Sequence, residues 1–417
     1  MEEKFKQIAK EIESKKKNVS DLLDFLIADA FQEKASDIHL EHKEDKTMLF
    51  RYRIDGILHD IFTINQEIAE DLIFIIKVKT KLRTDVHFAP QDGKIGFILE
   101  KGKDDKPIKI DARVSIVPIT HGEKIVIRLL FQQSRPLTLE ELGFSKTDLL
   151  KVQRAYSNPY GLILATGPTG SGKTTSLYSM LSILNSREVN ITTVEEPVEF
   201  SIEGVNHIQI NLKVDLTFAN GLRSILRQDP NIIMVGEIRD SDTARITLNA
   251  ALTGHLVLST LHTNNTISTI PRLLNLGIEP FLLATTVNII ISQRLCRRLC
   301  DNCKKEYVLG KDVVQAEMLK VRPDIAKYLK PTDKIYKSIG CEKCKNRGYQ
   351  GRVGIYEVLE ITSKLREALA ENKNTEVLYK IAKQEGFKLM IEDGIEKVKE
   401  GLTDISELMK VISIKEE

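Results

Sequence analysis

The spacing of apolar positions divides the chain near residue 148. Before that point short alternating runs dominate. Leu22, Leu23, Leu26, Ile27, Ala30 and Phe31 recur at helical spacing behind Ser20, which predicts a capped amphipathic helix ending near Lys34. Asp37 to Leu40 reads as a strand. Met48 to Ile54 alternates strictly up to Asp55-Gly56, and Ile57 to Ile61 follows; an Asp-Gly pair between two such runs predicts a tight hairpin. Asn65 starts a helix through Leu82, Gln91-Asp92-Gly93 turns into a further strand, and Ile110 to Leu130 supplies two more around His121-Gly122. Helices beside antiparallel strands predict a small α+β domain over 1–131, followed by a linker over 132–147 that begins with Gln132 to Pro136.

Past residue 148 the runs become continuous and β-branched: Leu162 to Ala165, Ile191 to Val194, Ile232 to Val235 and Leu256 to Thr260. Separated by helical patterns, they predict a parallel sheet wrapped by helices over 148–293. Residues 294–347 break the pattern with cysteines and many basic residues. The region 348–417 reads as helical, with periodicity from Thr362 to Ile414 and joints at Gly386, Gly394 and Gly401. Residues 1–17 end in Lys15-Lys16-Lys17, the mark of a solvated, fraying helix.

Between the first of the buried strands and a helix with Leu177, Met180, Leu181 and Leu184 on one face stands Gly167-Pro168-Thr169-Gly170-Ser171-Gly172-Lys173-Thr174. This fits G-x-x-x-x-G-K-[ST] at every fixed position, in the strand–loop–helix context that the motif requires. Its backbone N–H groups and the helix N-terminus, Thr175 included, would cradle phosphate. Lys173 would reach the β- and γ-phosphates, and the Thr174 hydroxyl would bind Mg2+. The expected ligand is therefore a nucleoside triphosphate with Mg2+. A second apolar strand ends in Gly236-Glu237, about 65 residues on, where such enzymes place a water-activating carboxylate. Glu237 is the candidate.

Composition narrows the class. Apolar residues are 42% and charged residues 29% of 417, ordinary for a globular protein, and the net charge is +2 with no Trp. No basic, aromatic-lined groove argues for a nucleic-acid motor, the alternative reading of a P-loop enzyme; a non-catalytic nucleotide-binding scaffold is a third, opposed by intact Lys173 and Glu237. The longest apolar segment, Ile278 to Ile291, is interrupted by Glu279, Pro280 and Asn288 and too short to span a bilayer. The first residues lack the apolar core of a signal peptide, so a cytoplasmic location is expected. Cys300-x-x-Cys303 and Cys341-x-x-Cys344 predict one closed four-thiolate Zn2+ site, leaving Cys296 as a small buried residue.

Taken together, these stretches resemble the secretion ATPases of type II secretion and type IV pilus assembly. The resemblance extends through Ile191 to Glu199, similar to the family's acidic box, and Gly254-His255 through His262-Thr263, similar to its histidine box. It also takes in Ala35 to His39, Arg51 to Gly56, Pro90 to Gly93 and Gly348 to Gly354. It implies a RecA-like core preceded by a PAS-like α+β domain and carrying a zinc insert and a helical tail. It further implies that Glu195 and Glu199 help place Mg2+ and water, that His262 senses the γ-phosphate or couples subunits, and that Arg113 and Arg128 reach the γ-phosphate from the N-terminal domain. The expected assembly is a homohexamer at the cytoplasmic face of the inner membrane. It would contact the membrane through a platform or docking protein and would not bind nucleic acid directly. The tetracysteine pattern favours an assembly or secretion motor over a retraction motor.

Overall fold

The computed structural model describes residues 18–99, 108–131, 137–311 and 320–412, with Phe5, Gln7, Ile8, Glu11, Ile12 and Ser14 nearer the start. Lys15-Lys16-Lys17 and the Gln132 to Pro136 stretch lie outside these residues. The chain forms two compact units, Met1–Ser134 and Arg135–Glu417.

The first unit carries a six-stranded sheet built from β1 (Ala35–His42), β2 (Thr47–Ile54), β3 (Ile57–Asn65), β4 (Gln91–Leu99), β5 (Ile108–Ile119) and β6 (Gly122–Phe131), in the order β3-β2-β1-β6-β5-β4. The Asp55-Gly56 hairpin forms where the alternation predicts it, with positive φ at both residues. Strand β2 alternates buried and half-buried side chains, so Met48, Phe50, Tyr52 and Ile54 enter the core. Helices Val19–Gln32 and Gln66–Lys79 cover that face with Leu22, Leu23, Leu26, Leu72 and Ile76. The first helix begins after Asn18 rather than Ser20, because the Asn18 N–H finds the Asp21 carboxylate at 3.1 Å. Asn65 caps the second helix as expected, accepting from the Ile68 N–H at 3.0 Å.

The second unit is a seven-stranded sheet of β7 (Gly161–Thr166), β8 (Ile191–Glu195), β9 (Val205–Gln209), β10 (Ile232–Val235), β11 (Leu256–Leu261), β12 (Val287–Leu299) and β15 (Tyr349–Glu360), in the order β15-β12-β7-β11-β10-β8-β9. All neighbours run parallel except β12 and β15, which pair antiparallel. Strands β7, β10 and β11 are buried throughout, as their continuous apolar runs require. Two short strands, β13 (Lys305–Val308) and β14 (Lys334–Lys337), pair between the cysteine pairs.

Three sequence readings are corrected here. Tyr349–Glu360 is a sheet strand, so the helical C-terminal region begins only at Ser363. Strand β12 runs uninterrupted across the expected 293/294 boundary into the cysteine region. Gly394 lies inside helix Met390–Lys399 rather than at a joint; a side chain there would meet the Leu408 Cδ1 at 2.3 Å, so close helix packing is what calls for glycine. Cys296 is fully buried on β12, as expected of a small core residue. Among the described residues, no helix is long and apolar enough to cross a membrane.

Candidate functional site

The residues singled out in the second unit meet at the C-terminal ends of its parallel strands, where open α/β sheets form their ligand crevice. Strand β7 ends at Thr166, the loop Gly167 to Gly172 turns, and helix Lys173–Leu184 begins. Gly167, Gly170 and Gly172 all have positive φ. The Lys173 ammonium bends back over the loop, donating to the Gly167 C=O at 2.8 Å and the Pro168 C=O at 3.1 Å. Burial pushes that ammonium down to about 8, with Glu237 opposing and Arg294 reinforcing the shift. Ser171 Oγ and Thr166 Oγ1 are buried without hydrogen-bond partners. A buried cation on backbone carbonyls beside two orphaned hydroxyls fits a site made for an anion with several acceptor oxygens. Pro168, Thr169 and Ser171 complete the loop, and Thr174 and Thr175 stand in the first turn of the helix.

Strand β10 delivers Gly236-Glu237 to the same edge, and β11 delivers His262. The His262 Nε2 lies 3.5 Å from one Glu237 oxygen, while the Arg239 guanidinium donates to the other. Burial, helped by the Lys173 charge and opposed by Glu237, holds the His262 imidazole below its ordinary value. Lys173, Glu237 and His262 therefore share one electrostatic neighbourhood. Arg239 also reaches Glu196 at 2.9 Å, which ties the acidic box to Glu237.

Glu195 is the last residue of β8. It is 2% exposed, and both carboxylate oxygens are taken within the fold. One accepts from the Tyr178 O–H at 2.6 Å; the other accepts from the Thr193 O–H at 2.6 Å and lies 3.0 Å from His207 Nδ1. The Ile202 N–H donates to His207 Nε2, so Nδ1 carries the proton that faces Glu195. The cause is strand geometry: Thr193 and Glu195, two residues apart on β8, share one face, and β9 brings His207 against it.

Sequence reasoning missed the contribution of β12. Gln293 donates to the Ser171 C=O at 2.7 Å and accepts from the Ser176 O–H at 2.9 Å. Arg294, 7% exposed, donates to the Asn264 C=O in the loop that follows His262. That loop is also anchored by Thr266, whose N–H and O–H both reach Glu357 on β15. The available signal was the polar run Ser292-Gln293-Arg294 directly after Ile289-Ile290-Ile291.

Cys300, Cys303, Cys341 and Cys344 place their sulfurs within 4.8 Å of one another. The separations of 3.9 Å for Cys300–Cys341, 3.8 Å for Cys303–Cys344 and 3.7 Å for Cys341–Cys344 match the edge of about 3.8 Å of a tetrahedron with Zn–S bonds of about 2.3 Å. The Asn302 amide, donating to Cys341 Sγ, brings that thiol down to about 6. The donor set fits Zn2+ with no open position.

In the first unit, Arg113 on β5 and Arg128 on β6 stand directly opposite each other in the antiparallel register, so their side chains share a face of the sheet. Asp37, paired with Arg128 across β1 and β6, accepts from its Nε at 3.0 Å.

The family model described as Type II/IV secretion system protein matches residues 12–410. The Type II secretion system protein E of Pseudomonas aeruginosa is 43% identical over 390 residues, covering 94% of this chain and 74% of its own length. The Type IV pilus assembly ATPase PilB of Acinetobacter baylyi is 44% identical over 388 residues, covering 93% of this chain and 65% of its own length. Among solved structures, the pilus retraction motor PilT with bound ADP superposes with a TM-score of 0.63 at 25% identity, over 94% of this chain and 96% of that one.

Proposed function

The chain belongs to the type II/IV secretion system protein family, and on that premise we propose that it hydrolyses ATP with Mg2+ as a motor for pilus or pseudopilus assembly. The observation that carries this reading is the meeting of Lys173, Glu237 and His262 at one edge of the parallel sheet. Gly167 to Thr175 hold the triphosphate, with the Lys173 ammonium leaving its carbonyl partners for phosphate oxygens. Thr174 holds Mg2+, which when bound neutralises charge on the β- and γ-phosphates. Glu237 accepts a proton from the attacking water, its carboxylate aimed by Arg239 and His262. Glu195 acts as a buried strut beneath the acidic box, and Glu196 meets the site through Arg239. Arg113 and Arg128 supply positive charge for the γ-phosphate from the N-terminal unit.

The motor works as a homohexamer at the cytoplasmic face of the inner membrane, joined to it through a platform or docking protein and not through nucleic acid. Assembly is favoured over retraction by the tetracysteine cluster and by the higher identity to a pilus assembly ATPase than to a retraction motor. Phosphate release by the purified chain, measured with Mg2+ and with a chelator, tests the reading, together with sedimentation to find the mass of six chains. Absence of Mg2+-dependent release under assembling conditions would refute it.

The Zn2+ at Cys300, Cys303, Cys341 and Cys344 is structural, and it closes the far end of the β12–β15 hairpin: the Cys300 N–H donates to the Gly348 C=O there at 3.0 Å. Elemental analysis of protein prepared without chelator should give about one Zn2+ per chain, the count of one four-thiolate shell. Cys300→Ser should lose the metal and lower the thermal midpoint, while ADP still binds. Protein without zinc, or a Cys300→Ser variant that keeps it, would contradict the assignment.

A further inference from the structure

Ser292 on β12 pairs with Thr166 at the end of β7, so the parallel register sets the next residue, Gln293, beside Gly167, the first residue of the loop. Gln293 is 1% exposed. The orientation of its amide is determined, because the Ser171 carbonyl only accepts and therefore requires the nitrogen. The oxygen then faces the Ser176 hydroxyl on the following helix. Both invariant glycines of the motif press on this one residue. A β-carbon on Gly167 would lie 2.6 Å from the main-chain carbonyl oxygen of Gln293, and one on Gly172 would lie 3.1 Å from its side-chain Nε2.

We propose that Gln293 is a positioning residue for phosphate binding: by holding the Ser171 carbonyl on the β12 side of the loop, it aims the Gly172 N–H at the nucleotide. In a trans peptide the C=O and the following N–H point in opposite directions. Fixing the Ser171 oxygen against Gln293 turns the Gly172 N–H away from β12. Gly172, with φ of +88°, has little intrinsic resistance to a flip of that peptide, so an external brace is needed. The bond from Ser176 keeps the brace from rotating. This inference rests on the nucleotide-site reading above and adds a residue that lies more than a hundred positions from the motif.

An N–H that contacts phosphate in substrate and transition state alike contributes to affinity, not to the chemical step. The experiment is ADP titration and steady-state ATP hydrolysis on the full chain, with Gln293→Met, Gln293→Glu and Ser176→Ala beside wild type. Methionine fills the same space without a donor. Gln293→Met should bind ADP about 10- to 100-fold more weakly and raise KM for ATP in parallel, the scale for a buried carbonyl left without its donor. Its kcat should stay within about threefold. Gln293→Glu keeps the Ser176 bond but not the donor, and should weaken binding at least as much. Ser176→Ala should weaken it by a smaller factor. Wild-type ADP affinity in Gln293→Met, or a fall in kcat at unchanged KM, overturns the proposal. Should that variant not fold, the same criteria applied to Gln293→Glu and Ser176→Ala decide. Wild-type protein that binds no ADP refutes the nucleotide site itself.

Discussion

Glu237→Gln is expected to bind ATP with wild-type affinity yet release phosphate slower by roughly two to four orders of magnitude, the span lost with a positioned acid–base group. Glutamine keeps the shape of the side chain and still accepts from Arg239, which Glu196 holds from its other side. Only the proton acceptor is removed. Single-turnover hydrolysis beside nucleotide titration measures both halves of this expectation. Turnover at the wild-type rate would move the base elsewhere. Glu195, whose buried carboxylate is engaged by Tyr178, Thr193 and His207, would then be the next residue to replace.

Arg113→Ala and Arg128→Ala should each leave ADP affinity nearly unchanged and cut ATP turnover about a thousandfold, the effect of removing an arginine that supplies transition-state charge. ADP has no γ-phosphate for them to meet. Like charges placed directly opposite on antiparallel strands oppose folding, and Arg113 faces Arg128 in register. Asp37 offsets part of that repulsion through its 3.0 Å contact with Arg128, and Arg53 lies 3.6 Å from the same carboxylate. The isolated 135–417 unit should bind nucleotide and hydrolyse it as slowly as these variants. Full-length rates from that unit would make the arginines structural.

What was legible in the chain was whatever depends on near neighbours. The Asp55-Gly56 hairpin is written in two turn residues and two alternating runs, and Asn65 announces its helix by itself. The loop from Gly167 to Thr174 is local too, since strand, turn and helix follow one another within a few residues. The cysteine cluster was legible because ligand spacing is chemistry more than fold. Strand β12 escaped because Pro280–Thr286 runs into Val287 with no Gly or Pro to mark the change, and periodicity alone does not separate a buried helix from a buried strand. Gln293 escaped for a longer-range reason: its role follows from the register between β12 and β7. The partners of Glu195 escaped likewise, because His207 arrives from a neighbouring strand.

The pairing of β7 with β12, and of β12 with β15, also sets an order of events during synthesis. Thr166 is made early, but its partner Ser292 and the outer strand ending at Glu360 emerge much later. At the usual pace of translation, the roughly 130 residues from Thr166 to the end of β12 take about 7 to 27 s. For that interval the phosphate loop exists as a sequence without its wall, and the edge of β7 that meets β12 stays unpaired. Nascent chains stalled before and after β12 should therefore differ sharply in nucleotide binding.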